Sequence, residues 1–430
     1  MTLADAYVFD AVRTPFGKIG GKLAGTRPDD LAAHVIRTIV DRAPGLEGLR
    51  NETAQETADA LAGKPIEAGT DRARPDRIDE VVFGNANGAG EENRNVARMA
   101  TLLAGLPTSL PGTTVNRLCG SSLDAAMMAS RQIEVDEADL MLVGGVESMS
   151  RAPWVLPKTE RPFPMQDLHL ANTTLGWRLV NPEMPDAWTV SLGEATEQLR
   201  EKHGITREEQ DVFSARSHQL AAKAWDEGRY DDLTVTVKAN SKRGSDATRD
   251  ETVRADSTPE TLGGLRTVFR KDSGTVTAGN ASPMNDGASA AWLGSEKAAV
   301  LLGRTPLARI AGRGAAANEP QFFGEAPVEA ANLALKRAGI GWEDVSAVEL
   351  NEAFAAQSLA CLRQWGIEES IVNAWGGAIA IGHPLGASGT RVLGTLARRL
   401  RAEGGRWGVA SLCIGVGQGL AVVLENTDAA

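Results

Sequence analysis

The chain is poor in sulfur and in aromatic rings, and it has no long apolar run. Among 430 residues there are three cysteines, two tyrosines and five histidines, and aromatic residues make up only 5%. An odd number of cysteines in a chain of this length gives no disulfide framework and suits a reducing compartment. No two cysteines or histidines stand at metal-ligand spacing, so no metal site is expected. No segment approaches the ~20 consecutive apolar residues that span a bilayer. Residues 1–7 lack a basic stretch followed by an apolar core, so no secretion signal is read there. The expectation is a soluble, cytoplasmic protein. An excess of positive charge is also missing: 45 basic against 56 acidic side chains leave a net −11. That balance argues against nucleic acid or an anionic membrane as partner, and any phosphate-bearing ligand must be met by local basic residues.

What is present is an ordinary globular composition, 42% hydrophobic and 23% charged, over a length that suits two or three domains. Short apolar runs alternate with alanine-rich helical stretches, the signature of an α/β architecture. The pattern predicts strands at 7–9, 80–83, 140–143, 347–350, 408–411 and 421–424. It predicts helices at 31–42, 96–103, 123–133, 328–338 and 390–401. Residues 150–280 differ in composition, being richer in Trp, Pro and charge, with helical stretches at 193–202 and 207–225 and a polar passage at 238–256. This stretch reads as an insertion covering a site. Residues 43–76 form a second polar excursion, read as a surface insertion without chemistry.

A weak internal repeat connects the two halves. The strand at 79–83 leads into Gly84-Asn85, and later come Cys119, a glycine–serine turn, a helix and the strand at 140–145. The strand at 347–350 leads into Asn351, and later come His383, Gly386-Ala387-Ser388-Gly389, a helix and the strand at 408–411. Cys119 and His383 then occupy equivalent turns, which paired halves would bring together. Chance likeness of α/β segments gives the same pattern.

Two cysteines and one histidine sit among small residues. Cys119 precedes Gly120-Ser121-Ser122 and a helix start, where a thiolate is stabilised by main-chain N–H groups and the helix dipole. A buried inert cysteine is the competing reading. His383 lies in a loop, 376–389, with five glycines in fourteen residues, more than a structural turn requires. Cys413 follows a strand and precedes Gly415, Gly417 and Gly419. A strand rather than a helix follows these glycines, so they are not a dinucleotide fingerprint, and they suit N–H donation to an oxyanion. Cys361 reads as core, and His34 and His218 read as structural. Asn351 closes a strand and opens a helix, and taken alone it is better read as a helix cap.

Together, Asn116-Arg117-Leu118-Cys119-Gly120-Ser121, Asn351-Glu352-Ala353-Phe354, Gly382-His383-Pro384 and Cys413-Ile414-Gly415 resemble the four catalytic segments of the thiolase family, in order and spacing. Further likenesses are Arg13-Thr14-Pro15-Phe16-Gly17-Lys18, Gly144-Gly145-Val146-Glu147-Ser148-Met149-Ser150 and Thr277-Ala278-Gly279-Asn280-Ala281-Ser282. The resemblance implies a five-layered α-β-α-β-α thiolase fold of two similar halves. Residues 1–149, continuing at about 281–303, would form the first half, 150–280 the inserted loop domain, and 304–430 the second half.

It also implies ping-pong acyl transfer. Cys119 would be the nucleophile, His383 its base and Cys413 the acid/base. Asn351 would hold a water in one oxyanion hole, with the N–H groups of Cys119 and Gly415 forming the other. Ser282 and Arg254 are similar to residues that meet the pantetheine arm and the phosphates of CoA. Partners implied are acyl-CoA and CoA as substrates, with no cofactor or metal, in a homodimer or homotetramer. Val416, where many members have glycine, Leu192 in place of a common methionine, and the stretch 173–182 lean toward degradative 3-ketoacyl-CoA and 3-oxoadipyl-CoA thiolases. An acetoacetyl-CoA thiolase working in the condensing direction is the alternative. A ketosynthase would carry histidine near Asn351, and a silent acyl-CoA binder would not keep this set of residues.

Overall fold

The computed structural model describes residues 3–50, 55, 58, 62, 78–239 and 244–429. Most of the 43–76 excursion lies outside the described residues. Its described beginning differs from an exposed loop, because Ala43, Leu46 and Leu49 are buried in the core.

The central feature is a ten-stranded sheet made of two matching parts. In the first, Tyr7–Arg13 runs antiparallel to Asn285–Gly294, which runs antiparallel to Leu140–Ser148. Parallel strands Glu80–Gly84 and Gly112–Val115 follow. In the second, Ala308–Ala317 runs antiparallel to Gln418–Glu425, and that strand antiparallel to Trp407–Ile414. Val345–Leu350 then adds in parallel, with a further parallel bridge from Val348 to Val372. The order and sense of strands thus repeat, and the repeat read from sequence is a real structural one. Within the sheet, among the described residues, the parts join where Tyr7 and Val8 pair with Arg309 and Ala308.

Two helices, Ser121–Glu134 and Ser388–Glu403, are packed between the parts, with apolar side chains from both sheets around them. Each follows one of the two candidate turns. Pro28–Asp41 and Val96–Leu103 cover the outer face of the first part, and Ala326–Ala338 and Ala355–Trp365 that of the second. This is the five-layered α-β-α-β-α arrangement of the thiolase fold. The repeated layer explains the burial pattern of Ser388–Glu403. Val392, Leu393, Leu396, Ala397 and Leu400 face apolar neighbours, while Arg399 is satisfied by Glu349 at 2.7 Å.

The central helices touch at their N-termini. A Cβ on Gly389 would lie 2.1 Å from the Leu123 nitrogen, and Thr390 N–H donates to Ser122 Oγ at 3.0 Å. Only glycine allows this approach, and the approach is what draws the turns bearing Cys119 and His383 to one place.

The expected helices appear within a few residues of the positions read from sequence. Two long strands were not expected, Asn285–Gly294 and Ala308–Ala317, because they are built from Ala, Gly and Ser, which favour strands poorly. Packing dictates that composition: Cβ atoms on Gly312 and Gly314 would lie 2.2 and 1.8 Å from the carbonyl oxygens of Ala334 and Ala330. The helix Ala326–Ala338 lies directly on the strand. Residues of the 150–280 stretch form helices Leu192–His203 and Arg207–Asp226 and a small hairpin, Trp154–Val155 with Ala171–Asn172.

Candidate active site

Cys119 sits in a one-turn 3-10 segment, Leu118–Gly120, that feeds the central helix. Its neighbours build that turn. Leu118 N–H donates to Asn116 Oδ1 at 2.9 Å, and the Asn116 amide donates to Ala86 O at 2.9 Å. Ser121 Oγ accepts from Arg117 N–H and donates to Leu118 O. Leu118 itself adopts φ +46°, a left-handed conformation that a leucine holds only when its surroundings impose it. The strand ending at Ile414 presses against this turn, so closely that a Cβ on Gly120 would lie 2.4 Å from Ile414 Cδ1.

This contact puts the Cys119 thiol under the N–H of Gly415, two residues past Cys413. Burial pushes the thiol up to about 11, while hydrogen bonds from the N–H groups of Gly415 and of Cys119 itself pull the other way. Cys413 is buried next to it among Ala195, Phe323 and Ala353. Its thiol is raised well above the ordinary value, first by burial and then by the neighbouring Cys119 and Cys361. All three cysteines are free, and Cys361 lies in the core with its Sγ bonded to Gly324 O.

His383 is 4% exposed and held on every side. Asn285 Oδ1 accepts its N–H at 2.9 Å, and Gly382 before it has φ +107°, where a Cβ would collide with that same Asn285 side chain. Its Nδ1 lies 2.6 Å from Ser388 Oγ, which donates to Pro384 O at 2.9 Å. With the one serine proton committed to that carbonyl, Nδ1 carries the ring proton and Nε2 keeps its lone pair. Nε2 meets Asn351 Nδ2 at 3.3 Å. The Asn351 amide is oriented by Arg391, whose guanidinium donates to Asn351 Oδ1 at 3.0 Å. Burial, and then the charge of Arg391, lowers the imidazole to about 3. At neutral pH the ring is therefore an uncharged base.

Two buried carboxylates tie the loops together. Glu147 Oε2 accepts N–H groups of Ala86 and Gly386, and Oε1 accepts from Asn87 N–H and the Asn85 amide. Glu352 accepts from Ser217, Asn373 and Ile379 N–H, under the start of the His383 loop. Glu147 joins loops from both sheet parts, which fixes His383 relative to Cys119. Burial raises its carboxyl to about 7 against the pull of these donors.

A cavity of about 400 Å³ opens at the turn, with Cys119, Gly415 and Val416 on its wall. Leu118, Leu192 and Leu385 make part of it apolar, and residues 173–178 complete it. His383, Asn351 and Cys413 are buried and do not line it. Ser282 and Arg254 are not on it either. Ser282 N–H donates to Ala353 O at 2.9 Å, beside the Asn351 segment, and Arg254 is exposed on the inserted stretch. Val416 takes φ +66°, which explains why glycine is common at this position and marks a strained β-branched residue.

Sequence reasoning missed Asn285 and Arg391 as parts of the site, read 173–182 as a mark of substrate type within a covering insertion without naming its residues as site lining, and passed over Ser388 and Glu147 without a role. Glu147 carried a usable signal, a carboxylate in the middle of an otherwise apolar strand. Among the described residues, no group of three or more His, Cys, Asp or Glu could hold a metal ion, and no helix is long and apolar enough to cross a membrane.

A free Cys119 thiol under the Gly415 N–H and a buried uncharged imidazole on the equivalent turn, in a twice-repeated five-layer fold, define a thiol-dependent acyltransferase. The chain belongs to the thiolase family: residues 46–297 match the thiolase N-terminal domain and residues 304–426 the thiolase C-terminal domain. It is 45% identical to a beta-ketoadipyl-CoA thiolase of Escherichia coli over 99% of this chain and 100% of that protein. It is 38% identical to a 3-ketoacyl-CoA thiolase of Colwellia psychrerythraea over 98% of this chain and 99% of that one. The human mitochondrial 3-ketoacyl-CoA thiolase superimposes with a TM-score of 0.86 at 35% identity, covering 99% of this chain and 100% of the other.

Proposed function

We propose that the protein cleaves a 3-oxoacyl-CoA with CoA, giving acetyl-CoA and an acyl-CoA shortened by two carbons, and that its substrates include 3-oxoadipyl-CoA. The observation that carries the reading is the Cys119 thiol beneath the Gly415 N–H, with Cys413 buried beside it.

In the first half-reaction Cys119 Sγ attacks the 3-oxo carbon and its proton passes to His383 Nε2. The C2–C3 bond breaks, C2 keeps the electron pair as the enolate of acetyl-CoA, and Cys413 gives its proton to C2. In the second half, Cys413 thiolate takes the proton of CoA, and the CoA sulfur attacks the acyl group on Cys119. Cys119 leaves, and the proton held on His383 neutralises it. The N–H groups of Cys119 and Gly415 serve one oxyanion, and His383 with an Asn351-held water serves the other. Removal of one such donor typically slows turnover by a hundredfold or more. Burial keeps both thiols and the imidazole uncharged at rest, so charge appears only when substrate is present.

Ser282 beside the Asn351 segment suits the pantetheine arm, and exposed Arg254 suits a CoA phosphate. CoA and acyl-CoA are substrates, and no metal or further cofactor enters these steps. We also propose a homodimer or homotetramer in the cytoplasm, and the division into two halves, 1–149 with 281–303 and 304–430, around the inserted 150–280. The test is a thiolysis assay across acetoacetyl-, 3-oxohexanoyl-, longer 3-oxoacyl- and 3-oxoadipyl-CoA, with wild type and Cys119→Ala. Unchanged turnover in the variant removes the nucleophile.

A further inference from the structure

One charged group on the cavity wall has no task in the chemistry above. Arg178 lines the cavity with Cys119 and is half-buried. Among the described residues its side chain has no hydrogen-bond or ion-pair partner. By contrast Arg200, Arg207 and Arg270 of the same inserted stretch are each tied to a carboxylate. Glu147, the acidic group on the wall, forms no ion pair with it, its oxygens being taken up by main-chain N–H groups and the Asn85 amide. The cavity wall therefore carries a guanidinium with no direct partner among the described residues.

The backbone holds that charge in place. Arg178 lies between Gly176 at φ +82° and Leu179 at φ +51°, and a left-handed leucine persists only when the surroundings impose it. Trp177 Nε1 donates to Val190 O at 3.1 Å, and the Asn87 amide donates to Thr173 O at 3.0 Å, so the segment is fastened on both sides of the turn. Leu118, Leu175, Leu192 and Leu385 make part of the wall apolar, and Asn87, Thr173 and Thr174 supply its neutral polar groups.

We propose that Arg178 is a specificity-determining residue that binds the terminal carboxylate of a dicarboxylic 3-oxoacyl chain while Cys119 attacks the 3-oxo carbon. The inference rests on the thiolysis reading of this site. In a six-carbon chain of this kind the carboxylate carbon lies three carbons past the attacked carbonyl, a span that keeps both ends in one small cavity. The CoA phosphates lie at the far end of the pantetheine arm and do not reach a wall shared with Cys119. A guanidinium matches a carboxylate with two parallel N–H donors. A chain ending in methyl would leave that cation desolvated and unpaired, which is how such sites reject the uncharged analogue.

The experiment compares kcat/KM for 3-oxoadipyl-CoA and for 3-oxohexanoyl-CoA, which has the same chain length without the carboxylate. It uses wild type, Arg178→Ala and Arg178→Lys. Wild type is expected to favour the dicarboxylic substrate. Arg178→Ala should lose at least tenfold on it, with 3-oxohexanoyl-CoA unchanged or improved, and Arg178→Lys should recover part of the loss. An equal fall on both substrates, or no fall on 3-oxoadipyl-CoA, overturns the assignment. So does a wild type that cleaves only the uncharged chain, although thiolysis itself then stands. Turnover of neither substrate, nor of acetoacetyl-CoA, sinks the thiolysis reading instead.

Discussion

Removing the His383 imidazole should change how Cys119 reacts with a simple alkylating agent, and the size of the change follows from the site. The Cys119 thiol is pushed up to about 11. At pH 7, four units lower, only about one such thiol in 10,000 is ionised without help. The imidazole is lowered to about 3, so across the working range it is the free base and can accept the thiol proton as sulfur attacks. A positioned base is worth roughly 10²- to 10⁴-fold, most when its pKa lies near the working pH, so an imidazole lowered this far belongs at the lower end of that range. Iodoacetamide alkylation of Cys119, followed by mass spectrometry of its peptide, should therefore be nearly independent of pH between 6 and 9 in the wild type. In His383→Asn the rate at pH 7 should fall at least ~100-fold. It should then climb about tenfold per pH unit toward the thiol's own ionisation. A variant that alkylates at the wild-type rate, or that keeps a flat profile, refutes base activation of Cys119 by His383. Circular dichroism of the variant guards against simple unfolding.

Three further outcomes are expected. Cys413→Ala should still accept some acetyl label on Cys119 from acetyl-CoA but nearly cease thiolysis, measured by loss of 3-oxoacyl-CoA absorbance; retained thiolysis rejects Cys413 as the acid/base. Gly314→Ala places a Cβ 1.8 Å from Ala330 O and forces the outer helix off its strand, so denaturant unfolding should show a loss of about 1–3 kcal/mol or more. A neutral effect would mean the layers are not in contact there. Val416→Gly relieves a left-handed conformation whose strain is on the order of 1–3 kcal/mol, offset by about 1 kcal/mol of added chain entropy. Its melting temperature should be unchanged or higher, and a clear drop would contradict the strain.

Much of this was legible in sequence, for identifiable reasons. The helices are alanine-rich and amphipathic, and Cys119, His383 and Cys413 stand out because glycines crowd them. The strands Asn285–Gly294 and Ala308–Ala317 were hidden because closely packed layers select small residues over β-branched ones. Asn285 and Arg391 were hidden because their partners lie far away in the chain: Asn285 supports residue 383, and Arg391 orients the amide of Asn351. Arg178 was hidden differently. Its meaning comes from facing the same cavity as Cys119, and the loop carrying it has no periodicity to read. The repeat of two halves was visible only as a faint likeness, and it became definite through strand sense and order.

The most direct measurement is the location of the covalent acyl group. Wild-type protein mixed with 3-oxoadipyl-CoA in the absence of free CoA, quenched in acid and digested, should carry a succinyl group on the peptide containing Cys119, with an equivalent of acetyl-CoA released. Succinyl found on the Cys413 peptide, or acetyl-CoA released with neither cysteine modified, contradicts the assignment of Cys119 as nucleophile.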